Sequence, residues 1–377
     1  MNKARIVVMV VMVVMNLEAG AQLKSASCWP SYRGDPRLTG LAEAVISPPL
    51  TLLWTFKAGD AIKSSAVICN GIIYIGCDDG YLYALSDKGS LLWKFRTGTS
   101  IEAPPLLLNG LIYIGSMEGV IYALNASTGV LKWTYTTEGQ VSGSCNWSAG
   151  RDGNHLQILA GSYDFSLHCF DAQTGQKIWT YASGNYINGT PAVSGKTAVI
   201  GGCDGFLHIV NTSTGKAVRK INLETYIPAS AALSADRAFV GNYDGAFFCV
   251  DLKSGKTIWK KEVEGAFTAS PAIFGRKVVS ATQNKLMYCF DASNGDVLWK
   301  FKAKGKIDSS PVIAGDYVFI GSADGRLHML DLATGTESWV YEIGSAVSGT
   351  PAVTGSLVVV GAEDGTVYAF GPVKNKK

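Results

Sequence analysis

No two cysteines are adjacent in this chain, only four histidines occur among its 377 residues, and the net charge is a mild +3. Such a charge builds no polyanion-binding surface, and the basic residues are scattered apart from Lys374, Lys376 and Lys377, so neither nucleic acid nor an anionic membrane is the expected partner. The one strongly apolar run, Ile6 to Leu17, is too short to span a bilayer, which argues against a transmembrane segment. Lys3 and Arg5 precede that run and Ala19-Gly20-Ala21 follows it, so residues 1–21 read as a secretory signal and the chain as exported. No linker, charge block or low-complexity tract divides the remainder, leaving room for one domain.

What is present is a segment of about forty residues, repeated eight times between Leu50 and Phe370. Six copies carry an acidic-Gly turn: Asp79-Gly80, Glu118-Gly119, Asp204-Gly205, Asp244-Gly245, Asp324-Gly325 and Asp364-Gly365. Degenerate copies stand at Asp164-Phe165 and Asn284-Lys285. Trp93, Trp133, Trp179, Trp259, Trp299 and Trp339 each follow a Gly turn, Arg219 fills the fourth slot, and Trp54 stands ahead of the first copy. Each copy has four short runs of Val, Ile, Leu, Tyr and Phe, divided by tight turns such as Asn70-Gly71 and Asn109-Gly110 that suit positive φ. The pattern predicts an all-β fold, an eight-bladed β-propeller of four-stranded antiparallel blades. The last copy ends at Phe370 without its Trp strand, and the chain opens with an orphan Trp strand at residues 52–56. That N-terminal strand is therefore expected to complete the last blade, so that the ring has no long open edge. The organisation is a signal over 1–21, a leader over 22–49, a propeller over 50–371 and a basic tail over 372–377.

The repeat also fixes what the cysteines and histidines do. Cys169, Cys249 and Cys289 occupy a slot that is Ala in other blades, so they read as small core residues, and Cys77 and Cys203 belong to blades too far apart to bond. No disulfide framework is expected. Cys28 invites a lipid-attachment reading, but Ser25 stands where such signals carry Leu, which favours ordinary cleavage and a soluble product. His168, His208 and His328 share one repeat position with Tyr83, Tyr122, Phe248, Tyr288 and Tyr368, and read as aromatic packing residues. His155 stands alone in a polar loop.

Two sets of residues are candidate sites. The first strand of each blade begins with an apolar residue (Ile62, Ile101, Val141, Ile187, Ile227, Phe267, Ile307, Val347), then a variable one expected to ring the channel mouth: Lys63, Glu102, Ser142, Asn188, Pro228, Thr268, Asp308 and Ser348. A ligand in the channel would meet Lys63, Glu102, Asn188 and Asp308, although the ring holds no convergent catalytic set. The second set is an enlarged first hairpin in blade 3, where the Trp spacing rises to 46 residues between Trp133 and Trp179. Trp147, Arg151, Asp152 and His155 on that hairpin are candidate partner contacts.

Segments such as Asp171 to Trp179, Asp251 to Trp259 and Asp291 to Trp299 resemble the tryptophan-docking repeat of pyrroloquinoline-quinone-type propellers, and the resemblance extends over residues 50–371. Cys28-Trp29-Pro30-Ser31-Tyr32-Arg33-Gly34 resembles the lead-in that precedes such propellers. The resemblance implies one of two functions. Quinoprotein dehydrogenases of this superfamily hold pyrroloquinoline quinone (PQQ) and Ca2+, commonly with two adjacent cysteines and long insertions, and this chain has neither. The BamB-like branch is a non-catalytic scaffold of outer-membrane β-barrel assembly, which the compact size and short loops resemble. The expectation is therefore a monomeric, periplasmic or outer-membrane-associated scaffold with an envelope protein as partner and no cofactor. The alternative is a small PQQ- and Ca2+-binding alcohol or sugar dehydrogenase.

Overall fold

The computed structural model describes residues 28–153 and 155–373. The expected signal and the lysines of the basic tail lie outside the described residues. Eight separate sheets form the ring. Blade 1 runs from its inner to its outer strand as Val67–Cys69, Ile72–Gly76, Tyr81–Ser86 and Leu91–Arg96, and blades 2 to 7 repeat this order. Blade 8 takes its outer strand, Leu50–Lys57, from the other end of the chain. That strand pairs antiparallel with Thr366–Pro372 from Leu50↔Pro372 to Lys57↔Thr366. The chain ends therefore close the ring as the repeat predicts.

Glycine contacts at two radii hold the ring together. Near the axis, seven of the eight apolar anchors lie against a second-strand glycine of the preceding blade, and blade 6 carries Ala281 at that position before the anchor Ile307. A Cβ at Gly76 would lie 2.4 Å from Ile101, one at Gly161 2.4 Å from Ile187, and one at Gly361 2.1 Å from Ile62. At the periphery, the rings of Trp54, Trp93, Trp133, Trp179, Trp259 and Trp299 each cover the turn glycine of the following blade. Gly175, at φ +71°, would bring a Cβ within 2.6 Å of the Trp133 ring, so this position needs both left-handed backbone and an absent side chain. The indole N–H of Trp54, Trp93, Trp133, Trp179, Trp259 and Trp299 donates to a backbone carbonyl of that next blade at 2.8 to 3.1 Å. Arg219 keeps the geometry by donating from Nη2 to the Lys253 carbonyl at 2.8 Å.

The acidic turns are tied to the third strand. The carboxylates of Asp79, Glu118 and Asp364 accept from the hydroxyls of Tyr83, Tyr122 and Tyr368, four residues on. His168 and His208 reach Asp164 and Asp204 in the same way, at 2.9 and 3.0 Å. Where this bond forms, the shared repeat position uses an aromatic ring with a polar tip, which Tyr and His both supply; Phe248 in blade 5 keeps the ring without the bond. Asp204 only accepts, so Nε2 of His208 carries the proton and Nδ1 accepts from the Tyr181 hydroxyl at 2.9 Å. Phe165 and Lys285 replace the turn glycine yet keep φ of +70°, at a cost of roughly 1–2 kcal/mol each.

Burial, opposed by the neighbouring carboxylates, lowers the pKa values of His168 and His208 below their ordinary 6.5. The unfolded chain then binds more protons than the folded one below pH 6.5, so stability present above that pH is lost as pH falls through it. Melting temperature measured against pH should show this decline, and changing both histidines to Tyr, as in blades 1, 2 and 8, should flatten it. An unchanged slope in that double variant sinks the assignment.

The leader does more than precede the ring. It crosses the axis opposite the acidic turns and bonds to inner strands of blade after blade. Trp29 bridges Ile68, and the carbonyls of Pro30, Pro36, Arg37, Thr39 and Gly40 accept from the amides of Leu107, Val193, Leu233, Ile273 and Ile313. Leu41–Ala42 then adds a fifth, parallel strand to blade 7 beside Val312–Ala314. The Trp29 ring fills the space over Gly34, and buried Arg33 donates to the Pro271 carbonyl at 2.8 Å. Cys28 is bonded to Cys69, with Cα atoms 4.2 Å apart, which corrects the expectation that the chain carries no disulfide. Cys28 lies outside the repeat and has no register there, so nothing in the pattern places it against blade 1. Cys169, Cys249 and Cys289 are free and buried, as their core slots imply, and Cys77 and Cys145 are free and buried as well.

Candidate functional site: the channel mouth

The inner strands begin later than their anchors do. Residues 62–66 precede the strand Val67–Cys69 as an extended lead-in, so the variable ring sits on irregular backbone above the strands rather than within them. Each lead-in is fixed twice. Its anchor is buried, and the carbonyl before the anchor accepts the amide of the residue before the acidic turn, as in Asp78 to Ala61 and Tyr243 to Tyr226. The residue after the anchor is thereby aimed at the channel mouth.

Deeper in the channel, the small residues form a girdle. The amides of Ser144, Thr190, Ser230, Ser270, Ser310 and Thr350 donate to the hydroxyls of Thr190, Ser230, Ser270, Ser310, Thr350 and Ser65, so the chain of bonds runs from blade to blade. Pro104 interrupts it, having neither an amide hydrogen nor a hydroxyl. The Tyr32 hydroxyl contacts Ser270 and Ser310 at 3.1 and 3.0 Å. Tyr32 thus plugs the channel from the leader side and leaves a cavity of about 170 Å³.

The four predicted mouth residues do not converge. Lys63 and Glu102 meet at 3.2 Å, and Lys63 also pairs with Asp78 at 2.8 Å. The bond to Asp78 raises the Lys63 pKa against the opposing effect of burial, with Glu102 adding to the rise. Asp308 pairs with Lys306 at 2.7 Å and accepts from Gln283 at 3.2 Å. Asn188 donates to the Cys203 sulfur at 3.6 Å, while its Oδ1 and the Ser348 hydroxyl are buried with no hydrogen-bond partner. Sequence reasoning missed Asp78, Gln283 and Lys306. Asp78 and Gln283 share the repeat position before the acidic turn and Lys306 precedes an anchor, and the pattern gives no sign that either position faces the mouth.

PQQ with Ca2+ does not fit this donor set. Lys63 and Lys306 are each engaged by this chain's own carboxylates, and Asp78, Glu102 and Asp308 would repel a tricarboxylate quinone. The cavity is smaller than the roughly 300–1,000 Å³ of ordinary cofactor sites. Among the described residues no group of three His, Cys, Asp or Glu is placed to hold a metal ion.

The blade 3 hairpin lies at the opposite ends of the strands. Arg151, Asp152 and His155 line an open groove of about 680 Å³ with the turn that contains Gln173 and Lys177. His155 is not alone there, because its Nδ1 lies 2.5 Å from Asp152 in the turn of the enlarged hairpin. Trp147 does not join the groove and instead packs, partly buried, on the core of blades 2 and 3.

The family model described as "Beta-alanine-activating enzyme, beta-propeller" matches residues 148–369, more than half of the chain. The chain belongs to that family of PQQ-like repeat β-propellers. A second family model, "Outer membrane protein assembly factor BamB", matches residues 46–149. No curated protein is similar enough to count as a relative. Among solved structures, this PQQ-like propeller is similar to BamB from Moraxella catarrhalis, at 19% identity and TM-score 0.75 over 88% of this chain and 100% of that one. It is also similar to quinohemoprotein alcohol dehydrogenase from Comamonas testosteroni, at 15% identity and TM-score 0.77 over 94% of this chain and 82% of that one. The computationally designed Ika8 protein superposes at 18% identity and TM-score 0.76 over 85% of this chain and 99% of that one. At these identities the likeness is one of fold.

Proposed function

We propose that this PQQ-like propeller is a non-catalytic, exported scaffold that binds protein at the bacterial cell envelope, in the manner its BamB-like N-terminal repeats suggest for outer-membrane protein assembly. One observation carries the reading: the lysines of the mouth are engaged by the chain's own carboxylates and the channel is plugged by its own Tyr32, which leaves no cationic cradle for the quinone. The Cys28–Cys69 bond supports an oxidising compartment. It also occupies the thiol that a lipid anchor would use, which favours a soluble product. The partner contact is assigned to the blade 3 groove, where Arg151, Asp152 and His155 offer both charges on a loop that no other blade carries.

The test is a titration of the purified chain with PQQ and Ca2+, followed by tryptophan fluorescence. No saturable quenching is expected, in the parent or in Lys63→Ala. Calcium-dependent quenching that is lost in Lys63→Ala establishes the dehydrogenase alternative instead. Photo-crosslinking from position 151 in envelope extracts is expected to yield a discrete protein adduct, and its absence removes the groove from the proposal.

A further inference from the structure

The mouth face carries aromatic residues that the ring does not require. Tyr186 and Tyr226 immediately precede the anchors Ile187 and Ile227, and Tyr163 and Tyr243 precede the turns of blades 3 and 5. Tyr186 lies against Tyr163 and Phe165, with ring centroids 4.9 and 5.0 Å away, and Tyr226 stacks on Tyr243 at 4.4 Å. Phe165, Tyr186, Tyr226 and Tyr243 are 39 to 44% exposed. At the position of Tyr186 and Tyr226, blades 1, 6 and 8 carry Ala61, Ala266 and Ala346, so packing does not demand a ring.

Phe165 is a second, independent sign. It stands where six blades have glycine, and it keeps a φ of +70° that a bulky side chain adopts only under strain. An exposed ring held in strained backbone contributes nothing evident to the fold. Its use lies in what the ring meets.

We propose that this platform on blades 3 to 5 binds a neutral oligosaccharide. The aromatic faces are electron-rich and match the C–H faces of pyranose rings. The platform leads into the channel cavity through Asn188, two residues beyond Tyr186, and the polar lining there, which includes Ser142 and Thr268, matches the hydroxyls of a sugar better than an apolar protein surface. Asp164, Asp204 and Asp244 lie in the turns of these same blades and oppose a polyanionic ligand.

Calorimetric titration of the full chain with cellohexaose, chitohexaose and maltohexaose tests this. At least one should bind saturably, and binding should weaken about five- to tenfold in Phe165→Gly and in Tyr243→Ala, the effect of losing one stacked ring. Phe165→Gly should melt no lower than the parent, which separates lost binding from lost folding, and Tyr243→Ala provides the same readout on unstrained backbone. Failure of all three sugars overturns the proposal, as does binding that both variants retain in full. Binding of a lysine-rich peptide but of no sugar assigns the platform to protein contact and overturns it as well.

Discussion

Trp133→Ala is expected to lower the unfolding free energy by about 3–5 kcal/mol, the range for removing a large buried aromatic side chain. The ring is only 9% exposed, packs beside Tyr113 and Phe170, covers Gly175 and donates to the Ala172 carbonyl at 3.0 Å. Truncation opens a cavity between blades 2 and 3 and removes one of the two donors to the Ala172 carbonyl, leaving only the Tyr113 hydroxyl at 3.0 Å. Arg219 provides the opposite experiment at the equivalent slot. Its Nε is buried without a partner, so Arg219→Trp should restore the repeat's contact with Gly255 and raise stability by about 1 kcal/mol. Guanidinium titrations measure both. A loss under about 1 kcal/mol for Trp133→Ala shows that the blades are held mainly at the axis and not at the rim.

The repeat made the ring legible because eight copies vote on each position. The Trp slots, the acidic turns and the orphan strand at residues 52–56 could be aligned against one another, and a closed propeller follows from that alignment alone. The mouth was only half legible. The anchors were placed correctly, since Ile62, Ile187 and their equivalents are buried, but the partners of Lys63 and Asp308 come from other repeat positions. A pattern read one position at a time does not show that Asp78 faces Lys63. The hydroxyl girdle was in plain view as a column of Ser and Thr. It reads as mere smallness until the strands are seen to stand close enough for an amide of one blade to reach the hydroxyl of the next. The leader was illegible for the same reason as Cys28. It occurs once, and its contacts with Ile68, Val193 and Ile313 are fixed by the ring and not by neighbouring sequence.

Cys69→Ser is expected to lower stability by about 2–4 kcal/mol, the usual effect of losing a disulfide from a loop of this size; the bonded residues are 41 apart. Chain entropy alone predicts that loss wherever the leader lies, so stability by itself does not establish a latch. The amides of Val193, Leu233, Ile273 and Ile313 decide the matter, because each donates to a leader carbonyl. If the disulfide pins the leader across the channel, those four amides lose hydrogen-exchange protection in Cys69→Ser by local opening, well before the strands that carry them unfold. Tyr32 then leaves Ser270 and Ser310, and the cavity becomes a channel open at both ends. If protection at the four amides falls only in step with global unfolding, the disulfide acts on the unfolded chain, and the leader is held by its backbone bonds and by the buried Trp29 and Arg33.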